Sequence, residues 1–378
     1  MPEQPSSPIT VSPPSDDVRR DAPVPVATEE RLASARWSDL EIHSLEDAIL
    51  YAVVYADLFD YPLTAAEIHR YLVGQVASLE EVESCLAEHP VLGERLDTVA
   101  PYWFLAGREH VVELRRRREA FSQVLWRAAR RTGRVLAMLP FVRMVAVTGS
   151  LSMNNAGSTQ DDIDLLLVSR RGRVWFVRGE VLVVARLARI LGIRLCPNYI
   201  VAEHKLELEA VDHFTAHELA QLVPVHGQSV YRRLLSTNAW LTRHLPNAWP
   251  LSHAGTDGNP QSDGSPRPLR FAMESRSEAE WTGMQSEAER EVGALGRAVQ
   301  RAFEAALGGK VGDAIERWEY GRKVPRLQRE VAASGGAETV FSPDVCKGHR
   351  HSHGAWVHER YYSRLQSQGL GSRQERSR

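Results

Sequence analysis

The segment Val145-Ala-Val-Thr-Gly-Ser-Leu-Ser-Met-Asn-Asn-Ala-Gly-Ser-Thr-Gln-Asp-Asp-Ile-Asp-Leu-Leu-Leu-Val168 constrains this chain more than any other. Met144 to Val147 and Ile163 to Val168 are short apolar runs of the kind buried in β-sheets. Asp161, Asp162 and Asp164 stand at the mouth of the second run. Asp161 suits a turn, where a carboxylate caps backbone N–H groups. Asp162 and Asp164 are two residues apart and share one face of a strand. Such carboxylates repel, and burying either without a partner is costly. A divalent cation relieves both costs. Mg²⁺ suits hard oxygen ligands, takes one or two carboxylates and keeps room for waters and substrate phosphates.

The residues between the two runs extend this reading. Gly149 lets a backbone or a phosphate come close. Ser150 opens a short helical turn reaching Asn155, whose N–H groups face an anion. Asn155 to Thr159 is turn-forming and returns the chain to the second strand. An apolar strand ending in Gly149-Ser150, followed by Asp162-Ile163-Asp164 inside an apolar strand, resembles the nucleotidyltransferase superfamily of polymerase-β-like enzymes. The resemblance covers residues 135 to 210. It implies attack on the α-phosphorus of a nucleoside triphosphate with departure of pyrophosphate. Gly149, Ser150 and nearby amides would hold the triphosphate, and Asp162 and Asp164 would hold Mg²⁺ or Mn²⁺. Positioning and charge neutralisation do most of the work in such reactions.

The resemblance also implies a third carboxylate on a later strand. In Leu195-Cys-Pro-Asn-Tyr-Ile-Val201 that place holds Asn198, an amide that cannot act as a base near neutral pH. Glu203 is the candidate that follows it. The alternation in His204-Lys-Leu-Glu-Leu-Glu-Ala210 predicts a further strand with Glu207 and Glu209 on a solvated face.

Ahead of this core, Ser44 with Asp47 marks the start of a helix reaching Phe59, and Thr64 with Glu67 marks a second reaching Leu72. Ser78 to Ala87 predicts a third helix, and Leu96 to Leu105 a short hairpin. Three helices and a hairpin look like a winged helix-turn-helix. Its third helix offers glutamates and no positive charge, which argues against DNA binding. Arg115 to Arg118, with Arg127, Arg130, Arg131 and Arg134, reads as an exposed helix face that could alternatively touch phosphates.

Arg173 to Leu191 predicts a helix between the second and third strands, and Asp212 to Val223 and Gly227 to Leu245 predict two more, separated by Pro224. The resemblance makes this last pair an acceptor-side segment, with Asn238, Trp240 and Arg243 as candidates. Ser275 to Leu307 and Gly312 to Lys323 predict polar amphipathic helices. Cys346, His349, His351, His353 and His358 are dense in metal ligands, but no second Cys/His pair completes a zinc site, so a solvated or phosphate-touching segment is the expectation.

The expected organisation is therefore α+β: a tail over 1–36, a winged-helix-like domain over 37–110, a mixed-sheet nucleotidyltransferase core over 111–210, a helical segment over 211–248, a Ser/Gly/Pro linker over 249–270, and a helical region over 271–378. A net charge of −2 across 378 residues argues against general polyanion binding. Three separated cysteines imply no disulfide framework and fit a reducing cytoplasm. No run is long enough to span a membrane. The expected function is Mg²⁺-dependent transfer of a nucleotidyl group to a small molecule, an RNA end or a protein hydroxyl; the alternative is an inactive relative that senses nucleotide or binds a partner.

Overall fold

The computed structural model describes residues 42–248, 294–334, 339–348 and 353–370. The expected N-terminal tail, the linker, the stretch from Ser275 to Val292, and His349 and His351 lie outside them. The fold is α+β, with helices on both faces of a mixed six-stranded sheet.

The helix starts read from the sequence are present with their caps. Helix α1 (Leu45–Asp57) has Ser44 at its N-cap, accepting from the Asp47 N–H. A two-residue strand β1 (Leu63–Thr64) leads into α2 (Ala65–Arg70), and Thr64 and Glu67 satisfy one another's backbone in a capping box. Ser78 and Glu81 do the same for α3 (Leu79–Glu88). After a short α4 (Pro90–Arg95), strands β2 (Leu96–Val99) and β3 (Tyr102–Leu105) form the expected hairpin, to which β1 adds a third strand.

Helix α5 (His110–Ala137) then runs about 42 Å. Arg116, Arg117, Arg127, Arg131 and Arg134 are exposed, as a solvated face requires. Arg115 and Arg118 depart from that expectation. Arg115 is buried between the rings of Tyr61 and Tyr102 and makes two hydrogen bonds to Glu67, at 2.7 and 2.9 Å. Arg118 donates to the Phe59 carbonyl at 2.9 Å.

The large sheet uses β4 (Val142–Val147), β5 (Ile163–Ser169), β6 (Leu195–Ala202), β7 (Val223–His226), β8 (Val340–Phe341) and β9 (Val345–Lys347) in the order β7-β4-β5-β6-β9-β8. Only β5 and β6 are parallel, joined by the crossover helix α7 (Val174–Ile190). A carboxylate from far along the chain caps that helix: Glu316 accepts from the N–H groups of Trp175 and Phe176.

Alternation along the strands sends side chains to two cores. Met144, Ala146, Leu166, Val168 and Val201 pack with the N-terminal helices, α8 (His213–Gln221), α9 (Gln228–Thr237) and α12 (His353–Ser367). Val145, Val147, Leu165, Leu167 and Ile200 pack with α5, α7 and α11 (Lys310–Ser334). Helix α10 (Ala294–Leu307) holds the entry to β4, where Glu304 accepts from the Phe141 N–H at 2.7 Å.

Four expectations change here. Pro224 separates α8 from α9 as expected, but Val223, read as the end of the first helix, opens the edge strand β7, in which a residue without N–H is tolerated. Residues 204–210 do not form a strand: the buried Asn238 amide accepts from the Leu208 N–H at 2.9 Å and donates to the Leu206 carbonyl at 2.7 Å, standing in for a neighbouring strand. That fixes Asn238 as a backbone clamp, not an acceptor contact, and Trp240 donates to the same amide. The C-terminal region, expected to be helical, also supplies β8 and β9.

Candidate functional site

Strand β4 ends beside the start of β5, where the Thr148 N–H still donates to the Asp164 carbonyl at 3.0 Å. Gly149 follows with φ +66°, and a Cβ there would stand 2.6 Å from Asp164 Oδ2. Glycine meets both conditions and a larger residue meets neither. The turn therefore lies against the Asp164 carboxylate. It continues as α6 (Gly149–Ser152), which leaves Ser150 exposed on a cleft wall.

The returning loop is pinned from both sides. Asp161 accepts from the Gly157 N–H at 2.5 Å and from the Ser158 hydroxyl at 2.8 Å, the turn-capping role expected of it. Asn155 accepts from Arg118 at 3.2 Å and donates to the Phe59 carbonyl at 3.1 Å, and Asn154 accepts from the Trp126 indole at 2.8 Å. Loop, α5 and the end of α1 are thereby fixed together.

Asp162 precedes β5 and Asp164 is its second residue. Both line the cleft, as their spacing requires. Asp162 Oδ1 accepts from Arg194 Nε at 2.6 Å, with both side chains about half exposed. Asp164 Oδ1 accepts from Asn198 Nδ2 at 2.6 Å, and Asn198 Oδ1 accepts from the Cys196 thiol at 2.8 Å. Burial is the largest influence on Asp164; with the negative charges of Asp162 and Asp161 it raises the carboxyl to about 6, against the lowering effect of the Asn198 hydrogen bond.

Asn198 reaches this position through a β-bulge. Leu165 stands opposite Pro197 and Leu166 opposite Tyr199, so Asn198 is the extra residue. Alternation inverts after it. Cys196, Asn198 and Tyr199 all line the cleft, while Ile200 and Ala202 turn to the other core.

These groups open onto a cleft of about 1410 Å³. The sheet forms one wall. Helix α1, with Tyr55, and Phe59 just beyond its end form another, and α8 packs on α6 and contributes Glu218. Strand β9 adds Lys347, which pairs with Tyr199 across the sheet. Burial raises the Glu218 carboxyl to about 7; the charge of Asp164 adds to this and Lys347 opposes it. Nothing local in the sequence marks Glu218 or Lys347. One lies in an ordinary amphipathic helix and the other in a three-residue strand, and only long-range pairing brings them together.

Glu203 does not join them. It follows the last residue of β6, and its N–H donates to the Ser169 carbonyl at 2.8 Å, at the far end of β5. Five residues of strand, roughly 16 Å, separate that position from Asp164. Its carboxylate instead faces the Arg171 N–H at 3.4 Å and Arg143 at 4.0 Å. Parallel pairing puts the starts of β5 and β6 at one end of the sheet and Glu203 at the other. Glu207 and Glu209 are exposed, as expected, but they lie on the rim of the cleft. Cys346 faces the core that contains α7, whereas His353 lines the cleft on the other side of the sheet, so they cannot share a metal. Among the described residues no group of three or more His, Cys, Asp or Glu could hold a metal ion.

Comparisons with models of protein families, with curated proteins and with solved structures gave no match to this chain. The chemistry is therefore argued from the geometry. A tight glycine turn, an exposed serine and two carboxylates meet at one end of a large, partly apolar cleft. Such an arrangement offers hard oxygen ligands to a cation and close backbone approach to an anion.

Proposed function

We propose that this chain is a Mg²⁺-dependent nucleotidyltransferase. The observation that carries the reading is the contact between Gly149 and Asp164, which brings an anion-accommodating turn within van der Waals reach of a carboxylate. The donor set fits a hard divalent cation: Asp162 and Asp164 supply carboxylate oxygens on one face, and Asp164 is held with its charge poorly solvated. With two protein carboxylates holding it, such a cation would take substrate phosphates and water as its remaining ligands. The cation would neutralise charge on the triphosphate and favour departure of pyrophosphate.

The protein's own groups bind and orient. Ser150 and the turn at Gly149 face the triphosphate, and Asn198 fixes the Asp164 carboxylate by holding Oδ1. An acceptor hydroxyl oxygen bonds to the α-phosphorus, the bond from that phosphorus to the bridging oxygen breaks, and the hydroxyl proton passes to a base or to water. Excluding bulk water from the cleft directs the nucleotidyl group to the acceptor.

Asn198 supports a second reading, a nucleotide sensor or adaptor, because it stands where a third carboxylate would complete the metal site. One experiment separates the two. Purified protein is incubated with Mg²⁺ or Mn²⁺ and each nucleoside triphosphate labelled at the α-phosphate, with a mixture of small molecules and RNA as acceptor. Transfer of label to an acceptor, lost in the double variant Asp162→Ala/Asp164→Ala, is the result expected of the enzyme. Metal-dependent binding without transfer favours the sensor, and binding that survives the double substitution removes the metal site from both readings.

A further inference from the structure

The cleft is larger than one ligand needs. Sites for a single small molecule run about 300–1000 Å³, so a cleft of about 1410 Å³ has space for a second molecule beside a nucleotide. Beside Gly149 and Asp164, the lining has a distinct character. Phe59, Tyr199 and Phe214 are partly buried and turn ring surface into the cleft, backed by Tyr55 stacked on His217 at 3.7 Å. Among the described residues its charged groups are Glu207, Glu209 and Glu218 against Lys205 and Lys347, with no arginine. Lys347 and Glu218 offset one another. Glu209 acts on Tyr199, since its charge adds to burial in raising the phenol.

An RNA end or another polyanion would meet these carboxylates without the clustered arginines and lysines that phosphate chains require. A neutral acceptor would gain nothing from Glu209. A cation on an apolar body satisfies both features at once: its ring or chain lies on the aromatic wall, and its charge meets the carboxylates at the rim. Building on the nucleotidyl-transfer reading, we infer that the part of the cleft between α1, α8 and β9 is the acceptor subsite, and that it takes a small amine-bearing molecule with an aromatic or apolar body and a hydroxyl group. Helix α1 and the segment from Phe59 to Leu63 then serve as the acceptor wall of the site. The exposed third helix, α3, presents Glu80, Glu81 and Glu83 outward, a surface unsuited to DNA.

Three phenols of one shape and different charge test this on the full chain: tyramine, 4-ethylphenol and 3-(4-hydroxyphenyl)propionate. Their binding is measured by calorimetry with and without α,β-methylene ATP and Mg²⁺. Tyramine is expected to bind about fivefold more tightly than 4-ethylphenol, the worth of one partly exposed charge pair, with the propionate weakest. Glu209→Gln should shrink the preference for tyramine over 4-ethylphenol, and Phe59→Ala should weaken all three. Propionate binding as tightly as tyramine overturns the inference, as does no tyramine binding at about 10 mM or a preference indifferent to Glu209→Gln. The nucleotide reports separately: if neither this analogue nor those of the other three nucleoside triphosphates bind while tyramine binds as described, nucleotidyl transfer is overturned and the cation subsite stands.

Discussion

Gly149 and Asp164 limit one another. The positive φ at 149 and the 2.6 Å approach of a would-be Cβ to Asp164 Oδ2 make Gly149→Ala unfavourable twice over. The expected cost is roughly 1–3 kcal/mol of stability, measured by urea unfolding, together with loss of Mg²⁺–nucleotide binding. Asp164 carries the opposite kind of prediction. Its carboxyl lies at about 6 against an ordinary 3.8, so the folded state holds that proton more tightly than the unfolded chain. Stability therefore falls as pH rises between those two values, and the whole loss is present above 6. Asp164→Asn removes it. The variant should be more stable than the parent by on the order of 1–3 kcal/mol at pH 8 without Mg²⁺, and no more stable near pH 3.5. Unfolding curves at the two pH values check this; equal stability at pH 8 would show that the carboxylate is not poorly solvated.

Among the elements, α5 does more than its basic face suggested. Arg115 ties it to α2 through Glu67, and Glu67 also accepts from the Tyr61 hydroxyl at 2.9 Å. Removing the guanidinium leaves Glu67 buried without its partner. Arg115→Met should cost roughly 3–5 kcal/mol in urea unfolding, and adding Glu67→Gln should restore much of that. Local patterns were legible for this kind of element. Ser44, Thr64 and Ser78 marked helix starts because an N-cap is a contact made within three residues. The two apolar runs with Gly149 and Asp162-x-Asp164 marked the site's centre because a strand's period of two assigns faces by counting. What escaped were features set by distant neighbours. The bulge at Asn198 depends on the register against β5, the clamp by Asn238 replaces a strand that alternation had predicted, and β8 and β9 are too short to carry a period. Glu203 was misjudged for the same reason: proximity along the chain said nothing of which end of a parallel pair it would reach.

At the scale of the whole molecule, the core facing the cleft is continuous from α1 across the sheet to α12. Tyr361 donates to the Tyr51 carbonyl at 2.9 Å, and Arg364 pairs with Asp57 at 2.9 Å. The N-terminal helices and hairpin are thus part of the body that holds the strands of the candidate site. A chain beginning at residue 111 would strip the N-terminal part of the core shared by Leu166, Val168 and Val201. It should be aggregated or molten by size exclusion and near-UV circular dichroism, and a well-folded, monomeric product would refute the shared core.

Strand β9 has a consequence in time. Tyr199 pairs with Lys347, so nearly 150 residues are made between one side of the cleft and the other. On the ribosome, the glycine turn and both aspartates emerge and can fold long before Lys347 and α12 arrive. Until then the cleft lacks a wall and the β6 edge is bare. The last wall of the cleft is also its last translated part, so synthesis itself delays the moment at which the cleft is closed on every side.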